Sequence, residues 1–232
     1  ARYLELLGYP SEIPENGYHG HDIIETAQAI IDQDGDEYLS MAEPERLAYF
    51  KDRAYAEKLK ALRQDLAAFN VHYDNWFSER TLHPDAIRAA CDELKKRGKA
   101  YEKDGALWLK STDYGDDKDR VIIRDNGVPT YLAADIAYHK NKYERGFRKM
   151  INIWGADHHG YVARVKASMA ALVYDPSQLE VLLLQMVSLF RDGKPVKMSK
   201  RTGQAITLNE LIEEADGKGK LEMDNGTVFL PN

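Results

Sequence analysis

Between residues 149 and 187 the chain alternates a β-type apolar run (149–154), a helical segment (157–172) and a second apolar run (179–187). That order leaves few options. Two strands joined by a crossover of this length lie parallel in one sheet, and such crossovers are right-handed almost without exception. Open α/β sheets bind their ligands beyond the carboxyl ends of their strands. Gly155-Ala156-Asp157-His158-His159-Gly160 falls at that place, between the first strand and the helix. The pattern therefore predicts a fold and the position of a site together.

Earlier segments have other periods. Residues 1–8 resemble the end of a helix stopped by Gly8, with no capping residue before it, as in a chain entered inside an element. A Pro/Gly-rich loop over 9–21 leads to a helix over 22–33 with Ile23, Ala27, Ile30 and Ile31 on one face. Ser40 and Glu43 have capping-box spacing, Pro44 sits just inside the next helix, and Leu59, Leu62, Leu66 and Phe69 mark one face of it. Residues 84–97 form a further helix, opened by Asp85 and closed by Lys95-Lys96-Arg97 and Gly98; that basic triplet complements the helix dipole and is assigned to capping. From 99 to 130 short strands are predicted, with turns at Asp104-Gly105 and Asp125-Asn126-Gly127. The acidic stretch 113–119 misses the EF-hand spacing and is expected to be a solvated turn.

Composition narrows the class. With 44% hydrophobic and 30% charged residues, the chain belongs with globular domains, and no apolar run is long enough to span a bilayer. A net charge of -6 argues against a generic, charge-driven nucleic-acid binder while leaving room for a local basic surface. The single cysteine, Cys91, rules out an internal disulfide framework, fits a reducing compartment, and shares a helical face with Ile87, Ala90 and Leu94 as a core thiol.

Three groups of residues carry chemistry. Lys197-Met198-Ser199-Lys200-Arg201 offers two ammonium groups and a hydroxyl on a loop after the second apolar run, where they can follow phosphate oxygens through a reaction; a solvated surface loop is the plain alternative. Asp157-His158-His159 can cap the helix, meet a nucleotide or a cationic substrate, or, with less support from spacing, hold a metal. Its flanking glycines favour close approach of a ligand. Tyr131 and Asp135 stand at i and i+4, on one helical face if this stretch is helical, where a carboxylate can pair with a guanidinium or, less specifically, an ammonium, or simply form a surface contact. Glu79, beside Trp76 and Phe77, adds a second carboxylate.

Together, residues 76–80, 115–124 (GDDKDRVIIR), 131–139 (YLAADIAYH), 153–167 (IWGADHHGYVARVKA) and 196–201 leading into 207–211 resemble class I aminoacyl-tRNA synthetases, most closely the arginyl type of bacteria. The segments follow the family's order over most of the chain. The resemblance implies ATP-dependent activation of arginine and transfer of the arginyl group to its tRNA, with ATP accompanied by Mg2+. Carried over by position, Lys197 and Lys200 would stabilise the phosphates, and Met198 and Ser199 would shape their loop. Tyr131, Asp135 and Glu79 would line the arginine pocket, with Asp157 also touching substrate. Gly155, Asp157 and His158 would meet ATP, with Met186 and Val187 near the adenine.

The resemblance further implies an α/β fold: the second half of a Rossmann-like nucleotide-binding domain, a parallel sheet with flanking helices, carrying an inserted helical and β-hairpin region. Residues 1–130 would hold a helical segment and the insertion, 131–214 the Rossmann half, and 215–232 a tail that departs from the family pattern. The family's other signature, His-Ile-Gly-His, is absent from this sequence, as is the anticodon-binding domain, so the chain by itself is expected not to aminoacylate. A cytoplasmic monomer free of membranes is expected. The competing function is a non-catalytic module of the same fold that binds arginine, tRNA or a partner synthetase. A small-substrate nucleotidyltransferase of the same superfamily would not need the long insertion.

Overall fold

The structure is a computed structural model that describes residues 1–15, 17–191, 194–195, 206–217, 222–224 and 227–229. Lys197 and Lys200, which the resemblance assigns to the phosphates, lie outside the described residues with Met198 and Ser199. The chain divides into two compact units, residues 75–186 and residues 1–74 with 187–232.

In the unit of residues 75–186, helix α4 (Asp85–Lys96) buries Ile87, Ala90, Cys91 and Leu94 along one stripe, as the spacing predicts. It packs beside an antiparallel meander of β1 (Ala100–Lys103), β2 (Ala106–Leu109) and β3 (Arg120–Ile123). The β1–β2 turn places Asp104 and Gly105 at φ of 52° and 76°, the left-handed pair that a tight hairpin requires. After β3 comes α5 (Tyr131–Glu144), whose Leu132, Ala133, Ala134, Ile136 and Ala137 are buried, and whose far end buries Tyr143 against the Tyr174 ring, stacked 4.2 Å away and nearly parallel to it.

Strand β4 (Met150–Gly155), a 3₁₀ segment (Ala156–Tyr161), α6 (Val162–Ala171) and β5 (Leu179–Leu184) complete this unit. β4 and β5 pair in parallel, Met150 against Leu179 through Gly155 against Leu184. The expected strand–helix–strand crossover is therefore present, with two adjustments. The first turn after β4 winds as 3₁₀ rather than α, and the second strand stops at Leu184 rather than Val187. One core spans α4, the meander, α5, α6 and the parallel pair, from Ile87 and Leu109 to Val165, Met169 and Leu179.

The acidic stretch departs from the solvated turn expected of it. Asp116 is buried and accepts two hydrogen bonds from the Arg120 guanidinium, at 2.8 and 2.9 Å. Asp119 accepts from the Thr112 hydroxyl at 2.7 Å and the Tyr101 phenol at 3.0 Å, and Ser111 donates to the Lys118 carbonyl at 2.7 Å. The carboxylates are turned inward as acceptors that knit the loop to β1 and β3.

The other unit begins with α1 (Arg2–Leu6) and α2 (His21–Asp34), whose Tyr3, Ala27 and Ile30 form a small core with Tyr38 and Phe50. Helix α3 (Glu43–Ala68) corrects two expectations. Its N-cap is Ala42, while the Ser40 hydroxyl donates to the Glu37 carbonyl, so no capping box forms. No residue of α3 is fully buried, and Leu62 and Phe69 of the predicted apolar face are exposed. Helix α7 (Leu208–Gly217) places Asn209 within 2.7 Å of Asp65 on α3. β6 (Ser188–Arg191), β7 (Lys194–Pro195), β8 (Glu222–Asp224) and β9 (Thr227–Phe229) make a four-stranded sheet in the order β7-β6-β9-β8. In the final stretch, read from sequence as turn and apolar run, the described residues supply two antiparallel strands, the second of which runs parallel to β6.

Candidate functional site

Seven of the sequence-predicted residues, Glu79, Tyr131, Asp135, Gly155, Asp157, His158 and Met186, belong to the unit of residues 75–186, and Val187 is assigned to the other unit. Helix α5 carries the first pair. Tyr131 opens it and is 84% exposed, while Asp135 lies one turn on and is partly buried. The i and i+4 spacing puts both side chains on one face only if the stretch is helical, and α5 meets that condition.

Asp135 is an unusual carboxylate. Its Oδ2 accepts the hydroxyl of Tyr161 at 2.7 Å, and among the described residues it has no ion-pair partner. Burial pushes its carboxyl above the usual range; the Tyr161 hydrogen bond opposes this, the negative charge of Glu79 adds to it, and the ammonium of Lys142 offsets part of it. A carboxylate that loses water without forming a direct ion pair is under electrostatic stress, which a cationic ligand would relieve. Glu79 itself sits on the short 3₁₀ turn Glu79–Leu82, largely exposed, with the His83 ring 3.3 Å from its Oε1.

Beneath this face runs a polar chain that sequence reading missed. His139 is buried and its Nδ1 lies 2.8 Å from the Asp135 main-chain carbonyl, an atom that can only accept, so Nδ1 carries the proton. Nε2 then accepts from the Asn152 amide at 2.8 Å. Burial pushes the imidazole down to about 4, so it stays neutral and ties α5 to β4. Lys142 donates to Asn152 Oδ1 at 3.4 Å and lies 4.3 Å from the Tyr138 ring centroid; burial lowers its pKa. The only hint in the sequence was polar Asn152 inside an apolar strand. Its pairing with His139 depends on the tertiary fold.

At the end of β4 the chain turns sharply. A Cβ on Gly155 would stand 2.5 Å from Asp157 Oδ1 and 3.3 Å from Met186 Sδ, so glycine is what allows the close approach there. Asp157 and His158 are exposed at the start of the 3₁₀ segment, their side chains 3.6 Å apart, and the His158 ring lies 6.5 Å from that of Trp154. Among the described residues no three His, Cys, Asp or Glu cluster as a metal cage, and no helix is long and apolar enough to cross a membrane.

Residues 29–227 match the sequence model of the family described as class I tRNA synthetases (R), catalytic domain. The chain belongs to this family. It is 55% identical over 215 residues to the arginine--tRNA ligase of Carboxydothermus hydrogenoformans, covering 92% of this chain and 39% of that protein. The arginine--tRNA ligase of Moorella thermoacetica is equally similar, with 38% of its length covered. The chain thus spans about two fifths of the curated relatives it matches. A solved structure from Campylobacter jejuni, described as an arginyl tRNA synthetase, superposes with a TM-score of 0.80 at 42% identity, over 91% of this chain and 45% of that one. A Thermus thermophilus arginyl-tRNA synthetase shares the fold, with a TM-score of 0.60 at 20% identity.

Proposed function

We propose that this chain is the part of an arginine--tRNA ligase that recognises arginine and meets ATP: the second half of the Rossmann-like catalytic domain, within residues 131–214, with an insertion before it. The observation that carries the reading is Asp135, a partly buried carboxylate hydrogen-bonded to a phenol, with no ion-pair partner among the described residues and in the field of a second carboxylate on Glu79, which the charge of Lys142 offsets only in part. A guanidinium is planar, permanently charged and rich in donors, so it matches two carboxylates better than an ammonium does. Tyr131 supplies an exposed aromatic surface at the rim of the same helix.

ATP would lie at the carboxyl end of β4 and β5, where Gly155 lets the nucleotide close to the backbone and Asp157 and His158 present polar groups. Met186 and Val187 are assigned to the adenine, and Mg2+ is assigned to ATP's phosphates. Lys197 and Lys200, with Met198 and Ser199, are assigned to the phosphates by sequence. Attack of the arginine carboxylate on the α-phosphorus, releasing pyrophosphate, needs alignment and charge neutralisation rather than a protein nucleophile. Transfer of the arginyl group to tRNA follows in the cytoplasm, with the enzyme acting as a monomer.

The test is calorimetric titration with arginine and with citrulline, its neutral isostere. Arginine binds, citrulline does not, and Asp135→Asn abolishes arginine binding. Equal binding of the two ligands would remove the guanidinium pocket from Asp135. Arginine-dependent ATP–pyrophosphate exchange by this chain would exclude the module that only binds the amino acid, and would overturn the expectation that the chain by itself is inactive.

A further inference from the structure

Asp135 is gripped from one side. The hydroxyl that reaches its Oδ2 comes from Tyr161, 26 residues later, at the last position of the 3₁₀ segment after β4. The phenol is in turn fixed by its neighbours. The Trp154 ring lies 5.8 Å away at 60°, and the Arg164 guanidinium sits 5.6 Å from the phenol's ring centroid. Arg164 Nε is buried and has no hydrogen-bond partner among the described residues, and the guanidinium lies against the phenol's aromatic face. Three elements, β4, the 3₁₀ segment and α6, thus converge to aim one O–H at one carboxylate oxygen on α5.

We propose, building on the arginine-recognition reading above, that Tyr161 is the positioning residue of the guanidinium site: it fixes the Asp135 rotamer by occupying Oδ2 and reserves Oδ1 for the ligand. Arginine then meets a single oxygen of Asp135 in a set direction, and Glu79 receives its remaining donors. Donation from the phenol also favours the charged carboxylate, opposing the burial that disfavours it. Burial and the adjacent carboxylate raise the phenol's own pKa far enough that it remains a donor.

The groups that face Asp135 are Tyr161 from the 3₁₀ segment, Glu79 from its turn and Lys142 from α5, with Arg164 of α6 behind the phenol and neutral His139 under the backbone carbonyl. Glu93 of α4 is engaged by Lys140, and Arg120 of β3 by Asp116. Of these, only the Tyr161 hydrogen bond is removed by Tyr161→Phe.

The experiment is arginine titration of the chain and of its Y161F and D135N variants from about pH 5 to 8, with the Asp135 carboxyl followed by 13C NMR in the absence of ligand. A hydrogen bond to a charged acceptor contributes enough that Y161F should bind roughly 10-fold more weakly at pH 8. Its affinity should also begin to fall at a higher pH than wild type, and the Asp135 carboxyl midpoint should move up with it. Wild-type affinity and midpoint in Y161F overturn the inference; so does a uniform loss at every pH with the midpoint unmoved, which marks a merely structural role. Loss in D135N without loss in Y161F sinks the inference and leaves the arginine site standing. A wild-type chain that ignores arginine sinks both. Should Y161F not fold, Trp154→Leu loosens the phenol without altering charge; the same upward shift is expected, and an unmoved midpoint refutes the proposal.

Discussion

Replacing Asp116 by asparagine tests the claim that the acidic loop is a structural joint. The Asp116 side chain is 2% exposed and that of Arg120 11%, and two of their contacts are charge-assisted. Asparagine keeps one acceptor and discards the charge, leaving a guanidinium under cover with exposed Asp117 as its one anionic partner among the described residues. Breaking a buried pair costs about 3–5 kcal/mol; the retained acceptor places D116N near the lower end, about 3 kcal/mol. All three tryptophans, Trp76, Trp108 and Trp154, lie in the unit of residues 75–186, so indole fluorescence during urea unfolding reads this unit alone. With a slope of about 1.5 kcal/mol/M, the midpoint should fall by about 2 M.

The effect should also depend on pH in a set direction. Arg120 holds the Asp116 carboxyl well below its ordinary 3.8, with burial opposing and the Asp117 amide assisting. A depressed carboxylate stabilises the fold fully above its unfolded pKa and loses that contribution as pH falls toward the folded one. The gap between wild type and D116N should therefore hold from pH 7 to about pH 4 and shrink by about 1 kcal/mol at pH 3. Asp117, 74% exposed, serves as the comparison: D117N should cost under about 1 kcal/mol. A gap below about 1 kcal/mol at pH 7, or one as large at pH 3, would refute the reasoning.

Other expectations follow from single sites. His139 is depressed to about 4 from 6.5, so the unfolded chain takes up its proton first; stability should fall as pH drops from about 6.5 to about 4, and His139→Gln should flatten that slope in denaturant titrations. Asp135→Asn removes a stressed carboxylate, so it should raise the thermal midpoint at neutral pH, by about 1 kcal/mol in stability, while losing arginine; a fall in stability would contradict the stress described. Cys91 is 4% exposed and burial pushes its thiol up to about 11, so alkylation in native buffer should be slow and accelerate with urea in step with unfolding.

The parts of the fold visible in the sequence are those set by local pattern. The β4–α6–β5 crossover, the α4 stripe around Cys91 and the Asp104-Gly105 turn each rest on residues a few positions apart. What escaped depends on distant partners. The face of α3 from Leu59 to Phe69 has helical spacing, yet spacing says nothing of what covers it, and none of it is fully buried. The run of aspartates around Asp116 looks solvated until Arg120 folds back onto it. Asp135 and Glu79 could be named from the family pattern, but Tyr161 could not, because the helix-to-turn contact exists only once β4 and α6 are packed.

The 3₁₀ winding of Ala156–Tyr161 has a consequence for how this segment tolerates change. Three residues per turn bring His158 and Tyr161 into eclipse, and the Trp154 ring indeed lies near both, at 6.5 and 5.8 Å. Inserting or deleting one residue here would rotate Tyr161 by about 120° relative to Trp154. Helix α6 could form as before, yet the phenol would aim elsewhere. The segment behaves as a gear with few teeth: many side chains can ride on it, but its residue count is locked to the orientation of a carboxylate on another helix.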